Sequence, residues 1–455
     1  MPRRAAARDP FYLAVFAEEL VRAPAKRAAI ERLCTRCHAP AGSEELAIEG
    51  QHLGFDDLTA GSSPAAILGR GGVTCSLCHQ IDPANLGDER SFSGNFTVGY
   101  QRTIYRPYRD PTSDPMQLIV NFRPTFGAHM TSAELCATCH TVIVPGPYGD
   151  VVEQGTYLEW RASAFAADRT CQSCHVPTVD EAGRGITTPV AGFPAGLRPR
   201  SPVGRHTFVG ANAYMLELMA DAIDWVGAGI PAAELHSAAR SLSHLAGAAT
   251  LAVERIAGDA FTVRVDNLTG HKLPTGYPSR RMWLHVEVDV AGSTIFESGR
   301  VDDVGRLVDS AGQVLPLQPH RDEISAADEV QVWEARLVDG AGEPTHRAMD
   351  ARRYGKDDRI LPAGFAPSAI DRARIEPIAV IADSSFVGGS DTVTFRVPGL
   401  ATGAIVRAAL MYQTLAPETV DAIAATPTPA GVRFVELARA KKQAPIAIVR
   451  ATATL

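Results

Sequence analysis

Outside four short motifs this chain of 455 residues has no cysteine, which confines its thiol chemistry to those motifs. It also has no run of apolar residues long enough to span a membrane as a helix. Positive charge is not in excess: 44 Lys and Arg against 51 Asp and Glu leave a net charge of minus 7, so there is no electrostatic footprint for nucleic acid. An export signal is missing too. MPRRAAARDPFYLAVFAEEL begins with a basic patch, but acidic residues interrupt the apolar run and no small-residue cleavage site follows. What remains is ordinary: 45% hydrophobic residues and a length that predicts two or three soluble domains.

All eight cysteines fall in CTRCH (Cys34, Cys37, His38), CSLCH (Cys75, Cys78, His79), CATCH (Cys136, Cys139, His140) and CQSCH (Cys171, Cys174, His175). Two thiols followed at once by His is the pattern of covalent haem c attachment: the thiols bond the vinyl groups and the imidazole takes the iron. Four such motifs predict four haems. Zinc is the main competing reading of paired CxxC motifs, yet an all-thiolate site has no need of the following His. His occurs 13 times in the chain, so four chance placements after a second Cys come to roughly one in a million. Disulfides do not require the His either.

Haem is attached to CxxCH outside the bacterial cytoplasm, so the expected location is periplasmic, extracellular or surface-bound. The sequence is then a processed or truncated form, or its start is misplaced. Four haems within the first two hundred residues leave too little protein to insulate each one. Their macrocycles are therefore expected to lie close enough for rapid electron exchange, with redox proteins as donors and acceptors.

The apolar spacing from Asp9 to Leu33 predicts a helix broken near Pro24. Residues 39–73 and 80–130 read as haem-wrapping loops with short helices. A Pro- and Gly-rich connector fills 176–205, and helical periodicity runs from His206 to about Gly258. Beyond Asp259, FTVRVDN, MWLHVEVDV, VQVWEARLV, PIAVIAD, TVTFRV and IVRAALMYQ alternate as strands of an antiparallel sandwich. The expected class is α+β, with an irregular and helical tetrahaem domain at 1–205, a helical connector at 206–258 and a β-sandwich at 259–455.

Nine histidines lie outside the motifs and compete for the sixth position on each iron. His129 stands in a loop before the third motif, His206 opens HTFVGANAYMLELM, and His271 sits in a turn flanked by Gly and Pro that would present it rigidly. These three are the leading candidates for distal ligands. His320 in LQPHRDEI is a fourth ligand or a supporting partner, and His52 follows. His236 and His244, eight residues apart, read as ordinary helix residues, His285 as a strand residue and His346 as a loop residue. Met116, Met130, Met215 and Met219 could ligate iron but fit core packing better. Trp160 is expected to pack against a haem. Arg102, Tyr105, Arg106, Tyr108 and Arg109 would solvate propionates or, in an enzyme, line a distal pocket.

The four motifs, HTFVGAN after them and TGHKLPTGYPSRRMWLHVEV leading into the strands resemble the multihaem, here tetrahaem, c-type cytochromes of bacteria that join a haem domain to a C-terminal β domain. LQPHRDEISAADEVQVWEA and YGKDDRILPAGF extend the similarity over most of the chain. The resemblance implies electron transfer by mostly bis-His haems, with His206 and His129 at matching distal positions and His271 in a turn the family uses. Those relatives have further sequence, often with another ligand, before the segment matching AAARDPFY. One iron is accordingly expected to lack an intrachain sixth ligand, which a neighbouring subunit would supply, as in extracellular cytochrome filaments, or which would leave the site open.

Three functional readings follow: an electron carrier or conduit, a multihaem oxidoreductase with one open haem acting on a small molecule such as peroxide or a nitrogen oxide, and a β domain that binds a mineral, a partner or a cell surface. The first is favoured, because histidines are sufficient for four irons and no divergent motif such as CxxCK marks one haem as special.

Overall fold

In a computed structural model, residues 6–208, 210–226, 235, 245–380 and 382–455 are described. The chain forms two compact units. The first comprises Met1–Val142, Ala167–Gly210 and Ile223–Leu235; the second comprises Ile143–Ala166, Ala211–Ala222 and His236–Leu455.

The first unit is built from short helices. Asp9 caps the helix Pro10–Arg22, its carboxylate accepting from the Phe11 and Tyr12 amides at 2.8 and 3.2 Å, with Pro10 at the first helical position, where its missing amide costs nothing. Leu13, Phe16 and Leu20 form the buried face. The expected break falls at Ala23 and Pro24, and the helix Arg27–His38 carries the first motif in its last turns. Helices Pro40–Ile48, Phe55–Thr59 and Pro64–Arg70 occupy the first presumed loop. The second holds the helix Asp114–Val120 and a two-stranded parallel sheet of β1 (Thr103–Arg106) and β2 (Arg123–Phe126). The remaining motifs lie on helices Cys75–Cys78, Ala133–His140 and Cys171–His175.

The second unit opens with the hairpin β3 (Val142–Gly146) and β4 (Gly149–Gln154) and the helix Thr156–Arg161. Its main body is two sheets. One contains β5 (Ala249–Arg255), β6 (Ala260–Asn267), β9 (Glu323–Ile324) and β13 (Ser390–Arg396); the other contains β7 (Arg281–Val290), β8 (Ser293–Ser298), β10 (Val332–Val338), β11 (Pro344–Thr345), β12 (Arg353–Asp357), β14 (Ile405–Gln413) and β15 (Ile446–Thr454). Alternate residues of both sheets enter one core: Phe261, Val263 and Val265 of β6 and Val393 and Phe395 of β13 meet Leu284, Val286 and Val288 of β7 and Val406, Leu410 and Tyr412 of β14. This is the two-layer packing expected of strands with one apolar face. The Phe261 and Phe395 rings, in register across β6 and β13, stack at 5.2 Å.

Three details correct the sequence reading. Ala249–Arg255, assigned to the helical stretch, is strand β5, paired antiparallel to β6 from Ala249 opposite Asn267; its β-capable ATLAVER run finds a neighbouring edge, and pairing overrides local helix propensity. PIAVIAD is not a strand among the described residues. Ala379 and Ala382 have φ of 64° and 59°, which no extended segment tolerates, and Ile378 alone bridges to Asp357. Finally, β9 pairs with β13 in parallel, so that sheet is mixed. The helices expected around His236 and His244 lie outside the described residues, which contain no helix long and apolar enough to cross a membrane.

At the end of β12 the strand alternation points Lys356 and Asp358 one way and Asp357 and Arg359 the other. Asp357 takes the ammonium of Lys272, fully buried in the GHKLPTG turn, at 2.7 Å and the Arg359 guanidinium at 2.7 and 2.8 Å. Arg359 also reaches Glu159 at 2.9 Å, and Glu159 accepts from Thr275 at 2.6 Å. Burial opposes the charge on Asp357, but Arg359 and Lys272 overcome it and hold the carboxyl at about 2. Each charge has its partner, so deleting one strands the others in a dry interior. Lys272→Met is therefore expected to destabilise the second unit by about 3–5 kcal/mol. Urea titration of the intact protein, read by hydrogen exchange at β7 and β14, checks this; exchange no faster than in the unaltered chain would refute it.

Candidate cofactor-attachment site

On a helical turn, residues i, i+3 and i+4 share a face. Each Cys-x-x-Cys-His motif sits on such a turn, which places both thiols and the imidazole on one side. No disulfide ties any of the eight cysteines.

Two of the motif histidines are oriented by the backbone. The Nδ1–H of His38 donates to the Ala6 carbonyl at 2.6 Å, and that of His79 donates to the Tyr105 carbonyl at 2.7 Å. Fixing the proton on Nδ1 leaves Nε2 as the lone-pair nitrogen, the tautomer a metal-bound histidine adopts. Burial lowers the His38 pKa to about 4, against the opposing pull of the Ala6 carbonyl, and lowers that of His79 as well, so both rings are neutral donors near neutral pH. The Tyr12 ring lies flat on His38, with centroids 3.8 Å apart and planes 2° from parallel.

The second motif adjoins a cavity of about 410 Å³ lined by Cys75, His79, Ile104, Met116, Val120 and Phe122. His206 faces His79 with ring centroids 6.1 Å apart. Two imidazoles bound end-on to one metal at about 2 Å per bond have centroids roughly 6 Å apart, so this spacing fits a shared axial pair. His129 acts electrostatically on the same His79. Its Nε2–H donates to the Ile81 carbonyl at 3.0 Å, and its ring packs edge-on against Tyr105 at 4.7 Å.

Contacts from the other motifs converge on the third. Gly94 donates its amide to the Thr138 carbonyl at 2.7 Å while its own carbonyl accepts from Arg36 at 3.0 Å, so one residue ties the first motif to the third. Leu77 of the second motif packs in a cluster with Ile81, Phe96 and Val98, against which Leu135, the neighbour of Cys136, also rests. Gln172 of the fourth donates to the Ser132 carbonyl, at the head of the third motif's helix, at 2.7 Å. The sulfurs follow suit: hydrogen bonding between Cys139 and Cys37 and between Cys136 and Cys171, together with burial, pushes the Cys139 and Cys136 thiols upward. Burial raises Cys78 to about 12, with Cys139 adding to it.

Other expected ligands are placed differently. His320 is corrected: it belongs to the second unit, is 3% exposed, and gives Nδ1 to Asp358 and Nε2 to Asp383, both at 3.0 Å. With both nitrogens donating to carboxylates it is an imidazolium with no lone pair for iron. His271 is also in the second unit, with Nδ1 on the Lys272 carbonyl at 2.8 Å. His52 gives Nε2 to the buried Glu31 at 3.0 Å. His140 is exposed and His175 half-buried. Met215 and Met219 are buried on the helix Ala213–Asp221, whereas Met116 borders the cavity and accepts from Arg106 at 3.7 Å. Trp160 lies in the second unit, stacked near Tyr157 at 5.5 Å. Of the basic cluster, Arg109 covers the Phe126 ring at 4.7 Å and Tyr108 donates to the Pro202 carbonyl at 3.2 Å. Tyr12, the Ala6 carbonyl and the aromatic wall at Phe122 were not legible as site residues, because each lies in a stretch whose pattern equally suits a core.

The donor set suits haem better than zinc. Among the described residues, the side-chain groups close enough to hold one metal ion contain no cysteine, whereas a tetrahedral thiolate site would gather four.

No protein-family model matches the chain, and no curated protein matches it. Among solved structures, it is similar to a penta-haem cytochrome c552 from Thermochromatium tepidum: 18% sequence identity over 93% of this chain and 84% of that one, with a TM-score of 0.52. The chain shares that fold.

The His320 clasp sets a pH dependence for the second unit. Burial disfavours its charge, but Asp358 and Asp383 outweigh burial and raise its pKa above the usual 6.5. Its contribution to stability is thus complete below pH 6.5 and is lost as pH rises through the folded-state value. Asp391, raised by burial to about 6, pushes in the same direction as it ionises. Stability should fall on going from pH 6 to pH 9 and fall less in His320→Gln; equal slopes in urea titrations of the two proteins would rule the clasp out.

Proposed function

We propose that the protein is a multihaem c-type cytochrome that carries electrons through covalently bound haem c, one at each motif. The observation that carries this reading is the spacing of His79 and His206, 6.1 Å between ring centroids beside an apolar cavity at Cys75, on a chain whose four motifs each put two thiols and a histidine on one helical face. The fold shared with a penta-haem cytochrome supports it. Bound there, haem supplies one-electron chemistry at its iron.

The chain's residues perform the rest. Cys34 and Cys37, Cys75 and Cys78, Cys136 and Cys139, and Cys171 and Cys174 would anchor the four groups, and His38, His79, His140 and His175 would each supply an imidazole to the iron. His206 would supply a second imidazole at the site of His79, and His129, whose Nε2–H donates to the Ile81 carbonyl, would serve an iron only with that bond opened. The contacts gathered at the third motif make it the junction through which electrons pass between the other three. Partners are redox proteins, the compartment is periplasmic or extracellular, and like subunits joined by intersubunit ligation would form a conduit or filament. The alternative, an oxidoreductase with one open haem, draws on His52: with its Nε2 engaged by Glu31, it does not serve the first motif unless that pair opens.

Mass spectrometry and the pyridine haemochrome assay should find four haems per chain; a haem-free chain that binds zinc would overturn the reading. His206→Ala should convert one low-spin signal in the electron paramagnetic resonance spectrum to high spin, about a quarter of total haem. An unchanged spectrum would remove His206 as a ligand. Replacing both Cys136 and Cys139 with Ala should remove one haem and slow redistribution of an injected electron among the other three, whereas unaltered redistribution would show that the third motif is no junction.

A further inference from the structure

The segment Ala6–Tyr12 meets His38 at two points and is tied down at a third. Its Ala6 carbonyl fixes the imidazole tautomer, its Tyr12 ring lies parallel to the imidazole at 3.8 Å, and its Arg8 is anchored in the same unit by donation to the Trp225 carbonyl at 2.6 Å. Two buried polar atoms of this segment, Arg8 Nε and Tyr12 Oη, have no hydrogen-bond partner among the described residues. After burial, the charged group that acts most on Arg8 is another cation, Arg70, whose own guanidinium is occupied by the Asp57 carbonyl at 2.9 Å. After burial, the groups that act on the Tyr12 phenol are Cys34 and Cys37, the two anchoring thiols of the first motif.

A half-buried guanidinium whose Nε is shut away without a partner calls for an anion, and its planar fork matches a carboxylate. Haem carries two carboxylates and is the group that the adjoining thiols and imidazole are built to hold. We propose that Arg8 and Tyr12 belong to the binding site of the first haem, Arg8 as the counter-charge to one haem carboxylate and Tyr12 as the ring that sets the plane of His38. Arg8 is a binding residue in this scheme, and Tyr12 is a positioning residue acting through His38. The inference rests on the reading of CxxCH as haem attachment.

The test uses the holo protein and the variants Arg8→Met, Arg8→Lys, Tyr12→Phe and Tyr12→Leu, with potentiometric titration followed by absorbance and by electron paramagnetic resonance. Arg8→Met should lower one midpoint potential and leave the others, because a carboxylate loses its compensating charge; Arg8→Lys should restore it. Tyr12→Leu should shift the g-values of one low-spin signal, and Tyr12→Phe, which keeps the stacked ring, should not. If Arg8→Met fails to retain the first haem while Arg8→Lys retains it, the counter-charge role stands. Loss of that haem in both variants alike, or full haem content with every midpoint and g-value unchanged, overturns the proposal and assigns the orphaned atoms to internal water. Absence of covalent haem from the unaltered chain would instead overturn the reading beneath it, so the two failures are distinguishable.

Discussion

A helical turn that must present two thiols and an imidazole on one face is the constraint from which the first unit is built. It explains why that unit is a set of short helices joined by tightly bonded loops. A long helix would carry a motif away from its neighbours after two turns, whereas helices of four to twelve residues let four motifs come together. The loops are then held by their own backbone bonds, and the Nδ1 atoms of His38 and His79 join that bonding as donors to carbonyls. Fold and imidazole orientation are set by the same hydrogen bonds in this unit.

The second unit is held by a different logic. Its apolar sandwich would be stable as layers of Val, Leu and Phe, yet the turn at Lys272, the helix bearing Glu159 and the strand ending at Asp357 are joined by ions. A buried ion network of this kind is weak evidence for stability, since well-packed apolar residues often do as well. It is strong in specificity, because a slipped register at β12 would exchange the surroundings of Asp357 and Asp358 and leave Lys272, Arg359 and His320 unpaired.

Much of this was legible in the sequence. Cys and His at fixed spacing are local signals, so the motifs could be found without knowing the fold, and so could the alternating strands β6, β7, β10, β13 and β14. The failures were non-local. ATLAVER becomes β5 because β6 lies beside it, and PIAVIAD is turned by left-handed alanines that no composition announces. His320 read as a fourth ligand or a supporting partner, and the carboxylates it pairs with, Asp358 and Asp383, lie 38 and 63 residues away. His206, read from the sequence as a candidate distal ligand, lies beside the second motif, though nothing in its spacing named His79 as the ring it would face.

Gly94 illustrates how a small residue bears on the spacing of two motifs. Its φ of +78° and its place between Arg36 and Thr138 leave no space for a side chain: a Cβ there would stand 2.7 Å from the Arg36 Cβ and 3.0 Å from the Cys37 sulfur. Any other residue would have to push the first anchor away from the third. Were haem bound at both motifs as proposed, tunnelling between them would decay exponentially with the gap, and a shift too small to disturb folding would still register as a slower transfer. The hydrogen atom that serves as this residue's side chain thus acts as a spacer gauge, setting how closely the first motif approaches the third.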